Sequence, residues 1–133
     1  MGVTLRHHNV ACALIERDGF LLAAQRSATM TLPLKWEFPG GKIEAGESPE
    51  DCLHRELHEE MAVSIFIEAA LLPSTHHYPE FSVTLYPFVC QLVTTEIELR
   101  EHAAMRWLGP SEIMSLDWAE ADLPVIAAYL EKR

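Results

Sequence analysis

Basic residues are scarce in this chain: ten of its 133 residues are Lys or Arg, against 20 Asp and Glu, for a formal net charge of −10. A protein that grips a nucleic-acid backbone needs a basic footprint, so no polymeric nucleic-acid partner is expected. Cysteine is sparser still. Cys12, Cys52 and Cys90 lie far apart and form no CxxC pair, which argues against a zinc ribbon or a disulfide framework. Each stands in an apolar setting, so small buried hydrophobes in a reducing cytoplasm are the expected reading. Long apolar runs are missing too. None approaches the ~18 residues of a membrane span, and the run at 10–15 is short and lacks a cleavage-like tail, so no membrane partner and no signal peptide are expected. Internal repeats, low-complexity tracts and linkers are also lacking. With 49% hydrophobic residues, the chain suits a single domain over residues 1–133, with a sizeable core.

Several local signals order the rest. Residues 9–17 are apolar and loosely alternating and read as a strand. Asp18-Gly19 signals a turn, and residues 20–25 read as the returning strand of a hairpin. Residues 27–35 read as a loop. Residues 36–39 form a short extended piece halted at Pro39-Gly40-Gly41, where the two glycines let the backbone bend and approach a ligand closely. A helix follows: Ser48 suits its N-cap, Pro49 its first position, and Glu50 and Asp51 the positive end of its dipole. Leu53, Leu57 and Met61 recur every four residues as its buried stripe. Residues 65–72, 81–93 and 104–108 read as strands, with Pro87 marking an edge or a bulge. Residues 111–114 suggest one helical turn. Residues 122–132 suggest a closing helix with Val125, Ile126, Tyr129 and Leu130 on its apolar face. The expected fold class is α/β (α+β), a mixed β-sheet sandwiched between helices.

Glu56, Glu59 and Glu60 fall at i, i+3 and i+4 and share one helical face. Like charges at that spacing repel, and a face meant only for solubility would normally mix in Lys or Arg. A cluster of carboxylate oxygens is what hard cations such as Mg²⁺ take as ligands. An acidic protein can bind an anionic phosphate through such a cation, which neutralises both. Arg55 is adjacent and could hold one carboxylate by a bidentate bond. Lys42, directly after the glycines, could contact a phosphate. An acidic solvated face is the competing reading of the three glutamates alone; the glycine pair preceding them tips the balance toward a metal–phosphate site.

The stretch Gly41-x5-Glu47-x7-Arg55-Glu56-Leu57-x-Glu59-Glu60-x-Ala62-Val63 resembles the Nudix box, the signature of the Nudix hydrolases. It departs at Ala62, where the family usually has a glycine that ends the helix in the left-handed conformation. A non-glycine residue there costs roughly 1 kcal/mol. Beyond the box, Glu37-Phe38-Pro39-Gly40-Gly41-Lys42 and Asp117-Trp118-Ala119-Glu120-Ala121-Asp122-x-Pro124 are similar to the MutT and CTP pyrophosphohydrolase-like branch. The resemblance spans about residues 9–131. It implies Mg²⁺ (with Mn²⁺ as an alternative) held by Glu56, Glu59, Glu60, Glu101 and the Gly40 carbonyl. It also implies catalytic roles for Arg55 and those four glutamates, phosphate contacts from Arg26, placed on the second hairpin strand, and Lys42, and a base pocket that includes Phe38 and Asp122. Tyr78, in a loop expected at the pocket mouth, is a further substrate-binding candidate.

Other residues read more blandly. His54 and His58 lack the HExxH order of a zinc site and are expected as partly exposed helix histidines. His76 and His77 are expected in the loop before Tyr78. Trp36, Trp107 and Trp118 are expected as buried aromatics rather than stacking platforms. Glu44, Glu50 and Asp51 are expected to face solvent or cap the helix. For Asp122 two roles stand side by side, an N-cap of the closing helix and an acceptor for a base amine.

The implied activity is hydrolysis of a nucleoside triphosphate to a monophosphate and pyrophosphate, with 8-oxo-dGTP and CTP or a modified dCTP as candidate substrates. The alternatives are a Nudix hydrolase acting on another nucleoside-diphosphate-linked substrate and a non-catalytic nucleotide-binding module. Degenerate members of the latter kind lose box glutamates that this chain keeps. A monomer or a homodimer is expected.

Overall fold

A computed structural model of the chain describes residues 6–132. Eight strands form one mixed sheet: β1 (Arg6–Arg17), β2 (Phe20–Gln25), β3 (Trp36–Glu37), β4 (Gly40–Lys42), β5 (Ile65–Ala70), β6 (Ser74–His77), β7 (Phe81–Leu92) and β8 (Ala104–Leu108). Two helices, α1 (Pro49–Met61) and α2 (Leu123–Glu131), complete the elements together with short 3₁₀ turns at Ile113–Ser115 and Glu120–Asp122. The sheet is ordered β3-β2-β1-β7-β5, with β4 on β1, β6 on β7 and β8 on β2. β1 and β7 run parallel at its centre, from Arg6↔Phe81 to Glu16↔Gln91.

The alternation of β1 explains the layering. Ala11, Ala13 and Ile15 join Leu22 and Ala24 in the core under α1, with Leu53, Leu57 and Met61. Cys12 and Leu14 join Leu21 and Ala23 in the opposite core, under α2, with Val125, Ile126 and Tyr129. A strand buried on both faces shows an unbroken apolar run rather than a polar–apolar rhythm, which is how residues 10–15 read. The sheet is thus sandwiched between two helices, as expected. The three cysteines are free and buried. Asp18 (φ 51°) and Gly19 (φ 84°) make the tight turn of the β1–β2 hairpin.

Several expectations are corrected. Gly40 and Gly41 do not bend the chain: they lie in β4, paired with Cys12 and Ala11, and neither has a positive φ. Arg26 follows β2 instead of lying on it. His76 and His77 belong to strand β6, not a loop. Pro87 sits in a central strand between β1 and the pair β5 and β6, not at an edge. Its ring nitrogen is tolerated because that side of β7 faces the break between β5 and β6. There its carbonyl accepts from the Leu71 N–H at 2.9 Å, and N–H and C=O of one strand residue point the same way. The register shift falls instead in β5, between Ile67 and Ala69. The helical turn expected at 111–114 is the 3₁₀ turn Ile113–Ser115. In α2, Val125, Ile126 and Tyr129 are buried, but Leu130 is 41% exposed. No described helix is long and apolar enough to cross a membrane.

Candidate active site

α1 presents the acidic face. The Ser48 side chain accepts from the Asp51 N–H at 3.1 Å, satisfying one of the donors a helix start leaves open. At the other end Ala62 is left-handed (φ 55°, ψ 34°) and its N–H reaches the His58 carbonyl, so the helix ends as a glycine would end it, without the glycine.

Arg55 is the hub of this face. Its guanidinium grips Glu47 with two bonds, Nε to Oε2 at 2.7 Å and Nη2 to Oε1 at 2.9 Å. Nη1 reaches Glu56 at 2.9 Å and Glu59 at 3.2 Å, and Nη2 also donates to the Lys42 carbonyl at 3.2 Å. The bond from Arg55 holds the Glu47 carboxyl down to about 2. Glu47 is therefore the carboxylate that fixes Arg55, and Arg55 in turn orients Glu56.

Glu60 is different. Its Oε2 is buried without a hydrogen-bond partner. Burial, and then the charges of Glu56 and Glu101, push its carboxyl up to about 8. A buried carboxyl kept from ionising by two neighbouring carboxylates, with one oxygen orphaned, is suited to a hard divalent cation. The glycines make room for this arrangement. A Cβ on Gly41 would stand 2.2 Å from Glu56 Cδ, and one on Gly40 would stand 1.9 Å from the Ala11 carbonyl oxygen. Glu59 is exposed and engaged by Arg55. Among the described residues no three His, Cys, Asp or Glu side chains already converge as a cation cage. Glu101, in the exposed segment between β7 and β8, is close enough for its charge to reach Glu60.

A cavity of about 340 Å³ lies over this face, bordered by Gly40, Gly41, Lys42, Glu56, Glu60 and Phe38 among others. A second, of about 400 Å³, is bordered by Tyr78, Phe81, Val83, Ala119 and Asp122. Val10, Arg26, Glu37 and Lys42 border both, which makes one cleft with an acidic end and an apolar end. Its size fits a small ligand. Glu59, Glu101 and Arg55 border neither part.

At the apolar end the Tyr78 hydroxyl accepts from the Ala121 N–H at 3.0 Å, and the Tyr78 ring stacks on Phe81 at 4.8 Å. Phe38 is 3% exposed, its ring packed against Trp118 at 4.9 Å. Asp122 does not cap α2 with its side chain. Its Oδ1 instead accepts from the Phe38 N–H at 3.1 Å. Burial, then the Glu37 charge, raises its carboxyl well above the usual carboxylate range.

Two residues of the cleft carried no assignment from sequence. Arg26 donates to Glu37 Oε1 at 2.8 Å, and to Thr31 through its carbonyl at 2.6 Å and its hydroxyl at 3.0 Å. The other Glu37 oxygen meets His102 Nε2 at 3.0 Å. Glu37 stood in the motif running to Lys42, but nothing local distinguished it. His102 follows Glu101 with no spacing signal at all.

Residues 5–129 match the NUDIX domain model. The chain belongs to the Nudix family. Within it, the chain is a hydrolase of the MutT and CTP pyrophosphohydrolase type, a group whose members generally use divalent metal ions. It is 32% identical to the CTP pyrophosphohydrolase of Escherichia coli K12, over 93% of this chain and 92% of that one. It is 30% identical to the 8-oxo-dGTP diphosphatase of the same organism, over 80% and 83%. Among solved structures, MutT from methicillin-resistant Staphylococcus aureus 252 matches with a TM-score of 0.78 and 37% identity, covering 98% of this chain and 100% of that one. The MutT protein of Methanosarcina mazei Go1, at 21% identity with a TM-score of 0.87 over 98% of each chain, shares the fold.

Proposed function

We propose that this chain, as a single catalytic domain over residues 1–133, is a Mg²⁺-dependent nucleoside triphosphate pyrophosphohydrolase of the cytoplasm that releases a monophosphate and pyrophosphate. The observation carrying this reading is the continuous cleft, whose acidic end suits a cation with phosphates and whose apolar end suits a base. The E. coli relatives named for CTP and for 8-oxo-dGTP support those two nucleotides as candidate substrates.

Glu56, Glu60 and the Gly40 carbonyl would hold the cation, with Glu59 and Glu101 completing the set. When bound, the cation offsets phosphate charge and makes a neighbouring water easier to deprotonate. Arg55 keeps Glu56 oriented. Arg26 and Lys42, at the waist of the cleft, meet the phosphates and stabilise charge that develops there. Glu56, Glu59 and Glu101 are the candidates to take the proton of the attacking water. At the far end Phe38, Tyr78 and Asp122 would frame the base. Asp122 has one oxygen committed to Phe38 and the other available. Ionised, it accepts from an amine such as that of cytosine; protonated, it also donates.

A panel of nucleoside triphosphates with Mg²⁺, scored for pyrophosphate against orthophosphate, tests the reading. Pyrophosphate release with a preference for CTP, modified dCTP or 8-oxo-dGTP is expected. Orthophosphate release alone, or no turnover of any triphosphate, rejects it.

A further inference from the structure

The segment between β7 and β8 carries Glu101 and is fastened on both sides of it. On one side the Glu98 N–H donates to the Met61 carbonyl at 2.9 Å, and the Arg100 N–H to that of Glu60 at 3.3 Å. The Arg100 guanidinium adds a bond to the Glu59 carbonyl at 2.9 Å. These are the last carbonyls of α1, which a helix leaves open and which favour a cation. On the other side the Ala103 N–H donates to Gln25 at 2.9 Å, and His102 meets Glu37 at 3.0 Å.

His102 stands out in this segment. Residues 98–101 and 103 are exposed, yet the His102 side chain is 3% exposed, and its Nδ1 is buried without a hydrogen-bond partner. Burying an imidazole with one nitrogen unsatisfied is a costly way to fill space. The compensating feature is the bond to Glu37, a carboxylate that accepts and so fixes the hydrogen on Nε2. Through Glu37 the connection continues to Arg26 at the waist of the cleft.

We propose that His102 is a positioning residue: its bond to Glu37 pins the segment between β7 and β8 so that Glu101 reaches the carboxylates of α1. The inference rests on the reading of Glu101 as part of the cation site. It assigns no proton transfer to His102.

The test compares His102→Leu, His102→Gln and His102→Asn with Glu101→Gln. The glutamine amide can take the place of Nε2; leucine offers no donor, and asparagine is too short to reach Glu37, so it removes the bond in a polar variant should leucine prevent folding. Two readouts use metal-free protein: amide hydrogen exchange across 96–103, and Mn²⁺ titration followed by electron paramagnetic resonance. Faster exchange confined to 96–103 is expected in His102→Leu and His102→Asn but not in Glu101→Gln. Mn²⁺ affinity and kcat should fall about 10- to 100-fold, as for other residues that orient a ligand, with the nucleotide KM within about twofold. His102→Gln should recover most of the loss, and His102→Leu should cost little more once Glu101→Gln is present. Unchanged exchange at 96–103, or full additivity with Glu101→Gln, overturns the inference. Wild-type Mn²⁺ affinity and kcat in Glu101→Gln would instead remove the site reading beneath it.

Discussion

At the acidic end of the cleft, Glu56 and Glu60 stand on one helix, at a spacing that helical geometry alone brings together, against glycines that leave no room for a Cβ. At the apolar end, Asp122, Phe38 and Tyr78 come from three separated stretches of chain, and the bond between Asp122 and Phe38 joins residues 84 positions apart. The first end is local and charged, and burial together with the Glu56 and Glu101 charges disfavours a further carboxylate at Glu60. The second is assembled by tertiary packing and holds one buried carboxyl among aromatic rings. On the proposed reading the labour is divided: the acidic end sets whether any triphosphate is cut, and the apolar end sets which.

The sharpest way to break this division is Glu60→Gln. Activity toward every triphosphate in the panel should fall together, by more than the 10- to 100-fold typical of a residue that only orients a ligand. The fold should survive, since the amide is neutral at a place where burial and the Glu56 and Glu101 charges disfavour a carboxylate. A loss confined to one base, or near-normal turnover in folded protein, would undo the comparison.

The glycines come next. At Gly41 the obstruction is the flexible Glu56 side chain, whereas at Gly40 it is the backbone of β1. Gly41→Ala should therefore keep its unfolding midpoint near wild type while kcat falls about 10- to 100-fold. Gly40→Ala should lose about 1–3 kcal/mol of stability, measured by denaturant unfolding. Equal stability loss in both would show that Glu56 cannot move aside.

Asp122→Asn sharpens the other end. It keeps the oxygen that accepts from Phe38, so the ranking of cytosine, guanine and 8-oxoguanine triphosphates in kcat/KM should change while pyrophosphate remains the product. A uniform shift across the panel would remove Asp122 from base reading. The same variant has a pH signature. The folded protein holds the Asp122 proton more tightly than the unfolded chain does, so wild-type stability from this group falls as pH rises above the unfolded carboxylate value of 3.8. Thermal unfolding of Asp122→Asn should match wild type below that value and exceed it near neutrality.

The smallest effect serves as a control that touches neither end. Ala62 is left-handed, so Ala62→Gly should add about 0.5–1 kcal/mol of stability with kcat unchanged. A lowered unfolding midpoint would mean that the extra freedom of the unfolded glycine outweighs the strain.

This contrast also governs what could be read from sequence. The α1 start, its buried stripe, its left-handed end and its acidic face all follow from spacing along one helix, and all were legible. The double-sided core was legible as apolar strands. Strand β6 was not: Ser74–His77 is four polar residues, and only the long neighbour β7 makes it a strand. Asp122 was legible as a candidate, but the partner its side chain takes instead of a cap, the Phe38 N–H just after β3, is 84 positions away. Glu37 and His102 meet across 65 positions, a pairing that no local pattern encodes. The two glycines were misread as a bend; what they permit is close packing against the Glu56 side chain and the β1 backbone.

The parallel pairing of β1 with β7 has a consequence for the order of assembly. It joins residues 75 apart, as at His7 and Ser82, and long closures of this kind are slow relative to local bonds. On a ribosome the floor of the cleft cannot form until β7 has emerged, long after the residues of α1 are free to coil. The glutamates of α1 therefore remain hydrated, where their mutual repulsion is well screened, through most of synthesis. Glu60 meets its costly surroundings only when the last part of the sheet and the Glu101 segment arrive.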